Sequence, residues 1–153
     1  MFLRHKIILG FALLLGLPLL AAAPAQAASN PYTPVGVCGS SYSVIGSMPI
    51  TLSGTRMGTV YILYSSATGY NCVATIKSAY VGTSTFVAAN VSKSSEDPAG
   101  DADDHGNYEY YAMAKIYAAG SCIQYYGSVS KVKQANENSN NTGMAQSGWG
   151  HCG

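Results

Sequence analysis

Beyond residue 27, apolar positions recur at every second residue or in short unbroken runs, and no stretch shows them at helical spacing. The pattern predicts strands over residues 41–45, 58–64, 72–80, 83–91, 108–116 and 122–132. The run 58–64 (GTVYILY) is apolar on both faces, which places it centrally in a sheet. Turn chemistry separates the segments at Ser53-Gly54, Ala67-Thr68-Gly69-Tyr70-Asn71 and Ala118-Ala119-Gly120. Ahead of them, Asn30-Pro31-Tyr32-Thr33-Pro34 predicts an extended lead-in. Residues 94–106 read as an acidic loop, and 134–148 as a low-complexity loop of Asn, Gln, Ser and Gly. The fold class that follows is all-β: a small antiparallel β-sandwich or barrel of about six strands.

The first 27 residues follow a different pattern. Arg4 and Lys6 precede an apolar run over 7–23, broken by Pro18, and Ala25-Gln26-Ala27 offers small residues for cleavage. This is the pattern of a secretory signal peptide cut after Ala27. A membrane anchor would need about 20 apolar residues, and Pro18 sits badly inside a spanning helix. The expected organisation is therefore a signal over 1–27 and one disulfide-bonded β domain over 28–153. Charge then changes the picture of partners. The full chain carries a net charge of +1, and losing Arg4 and Lys6 leaves six basic residues against seven acids, a net of −1. That balance gives no bulk attraction to nucleic acid, or to a membrane once the signal is gone.

All four cysteines lie beyond the signal, and an even count in an exported chain predicts two disulfides with three possible pairings. Their gaps of 34, 50 and 30 positions contain no C-x-x-C pair, which disfavours zinc. Pairing Cys38 with Cys72 and Cys122 with Cys152 lets each bridge close one half of the chain. Each closed loop would contribute about 3 to 4 kcal/mol in the chain-entropy account.

Several segments resemble a known family in order along the chain. They are Asn30-Pro-Tyr-Thr-Pro-Val-Gly-Val-Cys38-Gly, Thr59-Val-Tyr-Ile-Leu-Tyr64, Asn71-Cys72-Val, Gly106-Asn-Tyr-Glu-Tyr-Tyr111-Ala, Ala119-Gly-Ser-Cys122 and the ending His151-Cys152-Gly153. The sequence they resemble is that of the spore-associated protein A family, small exported proteins of filamentous, spore-forming actinobacteria found with the spore surface. The resemblance implies a surface setting; it supplies no enzymatic activity, substrate or cofactor. The chain departs from the family in a longer acidic loop around 94–105 and a longer Asn-rich stretch before Trp149.

Candidate chemistry is sparse. Asp101, Asp103 and Asn107 alternate as oxygen ligands do in a calcium loop, with Gly106 in the sixth place. The twelfth place is Ala112 where a bidentate glutamate is needed, so a solvated hairpin loop is the stronger reading and no metal is expected. His105 and His151 are the histidines beyond the signal, with no G-x-S-x-G or H-E-x-x-H pattern near either. Asn90-Val-Ser92 fits a glycosylation pattern, which carries little weight in the bacterial setting that the resemblance implies. Twelve tyrosines exceed what a small core absorbs with satisfied hydroxyls. Adjacent pairs such as Tyr110-Tyr111 and Tyr125-Tyr126 must point to opposite faces of a strand. Tyr111, Tyr126 and Trp149 are thus the candidate surface-binding residues. The expectation is a secreted, surface-associated structural or interaction protein that is no enzyme and needs no cofactor, with protein or glycan partners. A glycan-binding module using exposed tyrosines is the alternative, followed by an exported enzyme or inhibitor.

Overall fold

The computed structural model describes residues 28–94, 100–133 and 140–152; the expected signal, 1–27, lies outside them. One short helix, α1 (Pro34–Cys38), precedes eight strands: β1 (Ser43–Leu52), β2 (Thr55–Ser65), β3 (Tyr70–Lys77), β4 (Thr85–Lys93), β5 (Asp101–Tyr108), β6 (Tyr111–Tyr117), β7 (Ile123–Ser130) and β8 (Thr142–Gln146). They form one antiparallel sheet in the order β5-β4-β7-β8-β1-β2-β3-β6. The sheet curls until its two edges, β5 and β6, lie against each other, giving a nearly closed, flattened barrel. Flattening needs close approach across the interior, and Gly127 on β7 supplies it. A Cβ there would come within 2.6 Å of Val60 on β2. Across the same interior, the Thr75 hydroxyl of β3 donates to the Ala88 carbonyl of β4 at 2.8 Å.

Strand alternation sorts the side chains. Val60 and Ile62 of β2, Val73 of β3, Val87 and Val91 of β4, and Ile123, Tyr125 and Val129 of β7 point inward and make the core. As its doubly apolar run predicts, β2 lies between two partners, and its outward Tyr61 and Leu63 are also covered. They pack in a second cluster with Cys38 and Cys72, whose disulfide staples α1 onto the outer face of β3. The other bridge joins Cys122 to Cys152, so the structure carries the pairing that spacing favoured.

Eight strands stand where about six were expected, and two of the corrections fall on predicted loops. Residues 101–108 of the acidic loop are β5, and residues 142–146 of the Asn-rich loop are β8. Neither has strand-forming composition; both are recruited by backbone pairing, β5 to β4 over eight positions and β8 to β7 over five. Gly143 makes β8 possible, because a Cβ there would lie 2.8 Å from the Thr51 carbonyl oxygen of β1. The first strand is also longer than its 41–45 signal. Pro49 hid the continuation, and it is tolerated because β1 pairs with β8 at Thr51–Met144 alone among the described residues. Finally, the extended lead-in runs to Thr33 as expected and gives way at Pro34 to α1, a turn of helix that the pattern did not predict. Proline ends a helix from within but suits its first position, and Thr33 Oγ1 caps the turn by accepting the Gly36 N–H at 3.0 Å. Among the described residues no helix is long and apolar enough to cross a membrane.

Candidate functional site

On the outer face of β5, β4 and β7 lies an open groove of about 590 Å³. Register builds it. Asn90 of β4 pairs with Asp103 of β5 on one side and Tyr126 of β7 on the other, so these three form a row across the strands. In the next row Ala88 pairs with His105, and its short side chain leaves the depression. Phe86 extends the apolar floor, its ring centroid 6.3 Å from that of His105. The rim is polar. His105 Nδ1 and Asp103 Oδ2 are 2.7 Å apart, both more than half exposed, where screening makes such a pair a weak contributor to stability. The arrangement can lay an apolar surface on its floor and hydrogen-bond around it. Asp103 is the one carboxylate among the lining residues, whereas glycoside hydrolysis in its usual form needs two.

The rim depends on an edge strand of poor strand composition, and two inward groups hold it. Asp104 points away from the groove, and both its oxygens are engaged. Oδ1 accepts from the Tyr108 hydroxyl at 2.6 Å and Oδ2 from the Met113 N–H of β6 at 2.8 Å. A carboxylate thus stands in for ladder bonds where the two sheet edges meet. The hydrogen bond to Asp104, followed by burial, raises the Tyr108 pKa above its ordinary 10. Lys77, at the inner end of β3, is 1% exposed. Its three ammonium protons find the Thr83 carbonyl at 2.7 Å, Thr85 Oγ1 at 2.9 Å and the Tyr108 carbonyl at 3.1 Å. Burial lowers its pKa to about 8, with Glu109 pulling weakly the other way. One buried cation therefore ties β3, the start of β4 and the end of β5 together.

With this geometry in hand, sequence comparison is informative. The chain is 40% identical over 133 residues to Spore-associated protein A of Streptomyces coelicolor, a match covering 86% of this chain and 80% of that relative. The protein belongs to the spore-associated protein A family. No family model matches the chain, and no solved structure matches it.

In this member of the family the candidate residues scatter. Tyr126 lines the groove, as expected of a surface ring. Tyr111 does not: it packs outward against Tyr32, centroids 4.9 Å apart, beside the second cluster. Trp149 is 55% exposed on the C-terminal segment, next to the Ile123–Gly150 bridge. Asp101, Asp103 and Asn107 stand on the outer face of β5, every second residue, because the segment is a strand and not a loop. Asp101 and Asn107 are then about 20 Å apart, and one calcium ion, with oxygens at about 2.3 to 2.6 Å, cannot take both. Among the described residues no three metal-binding side chains gather. His151 sits exposed beside its disulfide, its ring 6.2 Å from Tyr125. Sequence reading missed Phe86, Ala88 and Asn90 as site residues. Asn90 stood out as part of a glycosylation pattern, but its place in a row with Asp103 is visible only through register.

Proposed function

We propose that this protein is a secreted, non-catalytic component of the spore or cell surface, and that the β5–β4–β7 groove is its contact surface. Kinship to a spore-associated protein and the two disulfides support the setting. The observation that carries the contact surface is the groove itself: an apolar floor of Phe86 and Ala88 rimmed by Asn90, Asp103, His105 and Tyr126. It favours a partner with a flat apolar face and hydroxyls or amides around it. That description also fits a sugar ring, and it is what favours glycan binding as the second reading.

Incubation of the oxidised protein with intact spores, and separately with insoluble peptidoglycan and chitin, tests both. Wild type should be retained on spores, with Ala88→Arg and the double variant Asp103→Ala/His105→Ala retained at least tenfold less. Asp103 and His105 are exposed, so their double variant should keep its stability within about 0.5 kcal/mol. Equal retention of both variants overturns the groove. Retention on purified glycan selects the glycan reading; retention only on spores that still carry surface protein selects a protein partner.

A further inference from the structure

The two disulfides sit in opposite surroundings. Cys38 and Cys72 are 2% and 0% exposed, packed among Leu63, Ala74 and Ile76. Cys122 is half-buried and Cys152 is exposed. Cys152 also lines a cavity of about 260 Å³ at the open end of the barrel, apart from the groove. Other walls of that cavity are Ile45 of β1, Tyr64 of β2, the Ala118–Ala119–Gly120 turn between β6 and β7, and His151. The two half-cystines are held differently as well. Cys122 is fixed to the barrel on both sides of its peptide unit. Its N–H donates to Ser94 Oγ at 3.2 Å, and its carbonyl accepts the Ser94 N–H at 2.8 Å. Cys152 ends a tail that, beyond Ser147, makes two backbone hydrogen bonds among the described residues. Both join Gly150 to Ile123, at 2.8 and 2.9 Å.

We propose that the Cys122–Cys152 bridge is a thiol-exchange site, at which a small-molecule thiol forms a mixed disulfide with Cys152. Exchange proceeds by attack of a thiolate on one sulfur of a disulfide, so access to that sulfur governs which bridge reacts. The incoming thiolate attacks Cys152 Sγ from the cavity. A bond forms between the two sulfurs, the Sγ–Sγ bond to Cys122 breaks, and the electron pair leaves on Cys122 Sγ, which takes up the proton that the thiol lost. One disulfide and one thiol give one disulfide and one thiol, so no separate oxidant or reductant is needed. Because Cys122 stays anchored to Ser94, its thiolate remains placed to attack the adduct and restore the bridge. The cavity sets the size of the reagent. Its volume corresponds to roughly eight or nine waters of liquid, room for a thiol of a few heavy atoms but not for a cysteine flanked by its own chain. No Lys, Arg, Asp or Glu lines it, which suits an uncharged body. Exchange leaves the buried Cys38–Cys72 bridge in place and unclamps the tail that carries the exposed Trp149.

The test exposes the folded, oxidised protein to 2-mercaptoethanol, and separately to a cysteine-bearing peptide at equal thiolate concentration. Samples are quenched at intervals with an alkylating agent and mapped by mass spectrometry. With 2-mercaptoethanol, Cys122–Cys152 should open about tenfold faster or more than Cys38–Cys72. The first product should carry the adduct on Cys152 and the alkyl group on Cys122. In that product hydrogen exchange at the Ile123 and Gly150 N–H groups should rise, while the remaining strands keep their protection. Ala119→Phe, at an exposed position on the cavity wall, should slow opening of Cys122–Cys152 about tenfold and leave Cys38–Cys72 unchanged. Ile45→Trp narrows the same cavity from β1 and serves as a second variant if the first folds poorly. In denaturing urea the two bridges should react alike in wild type and variants, which shows that access and not intrinsic reactivity sets the difference. Equal rates at the two bridges in folded protein, a first adduct on Cys122, a peptide that reacts as fast as 2-mercaptoethanol, or unchanged rates in both variants overturns the proposal.

Discussion

Raising the pH from 8 to 10 should make this protein more stable, and the reason is Lys77. In the unfolded chain its ammonium keeps its proton up to about 10.5, whereas in the folded protein burial lowers the pKa to about 8. Between those values the unfolded state binds one proton more than the folded state, so stability rises with pH. The slope is about 1.4 kcal/mol per pH unit for one proton, which gives a gain of roughly 2 to 3 kcal/mol across the window. Below pH 8 the group is charged in both states and contributes no slope. Above pH 10 the sign turns. Tyr108, through Asp104, and Tyr125, through burial, hold their protons past the ordinary tyrosine value, so the folded state then binds more protons and stability falls. The stability maximum should therefore lie near pH 10.

Urea denaturation from pH 7 to 11, with both disulfides intact, measures the profile. Lys77→Met keeps the length of the side chain and removes the titrating group. It also leaves the acceptors at Thr83, Thr85 and Tyr108 without their donor at every pH. The variant should fall behind wild type by 2 to 3 kcal/mol more at pH 10 than at pH 7, on the order set by the same slope. A flat wild-type profile between pH 8 and 10 would refute this account, as would a rise that persists in Lys77→Met.

Asp104→Ala should destabilise by about 2 kcal/mol, speed hydrogen exchange at the Met113 N–H, and return the Tyr108 titration towards its ordinary value in an ultraviolet pH series. Oxidised protein should weigh four hydrogens less than reduced protein and yield the linked peptides of Cys38–Cys72 and Cys122–Cys152. Replacing Cys122 and Cys152 together by serine should lower stability by about 2 to 4 kcal/mol in denaturant. Washed spores should keep the protein through high salt and release it in detergent; release by salt alone, or retention through boiling detergent, contradicts a contact made by rings and hydrogen bonds.

Much of the frame was legible because apolar alternation reports burial directly. The doubly apolar run of β2 is central, and Ser53-Gly54 closes the β1–β2 hairpin with φ of 48° and 80°, the left-handed pair a two-residue turn requires. The strands that escaped are those whose side chains bury little. β5 reads DADDHGNY, with outward positions exposed and an inward aspartate satisfied only by Tyr108 and a backbone N–H from β6. No local propensity predicts that, since the compensating partners come from the far edge of the sheet. β8 depends similarly on Gly143 fitting under Thr51.

The calcium-like alternation shows how a correct observation can carry the wrong geometry. Oxygen-bearing side chains at Asp101, Asp103 and Asn107 recur every second residue, which is also the period of a strand. In a loop that period would gather ligands around an ion; in β5 it spreads them along one solvent-facing edge and sets Asp103 and His105 beside Asn90, Ala88 and Tyr126. The tyrosines divide in the same way. Tyr125 fills the core, Tyr108 secures the seam, and Tyr32 with Tyr111, like Tyr70 with Tyr117, pack edge to face at the surface. Abundance of rings therefore does not locate a binding face. Cross-strand register does, because it alone decides which of them stands next to hydrogen-bonding groups over a floor as low as Ala88.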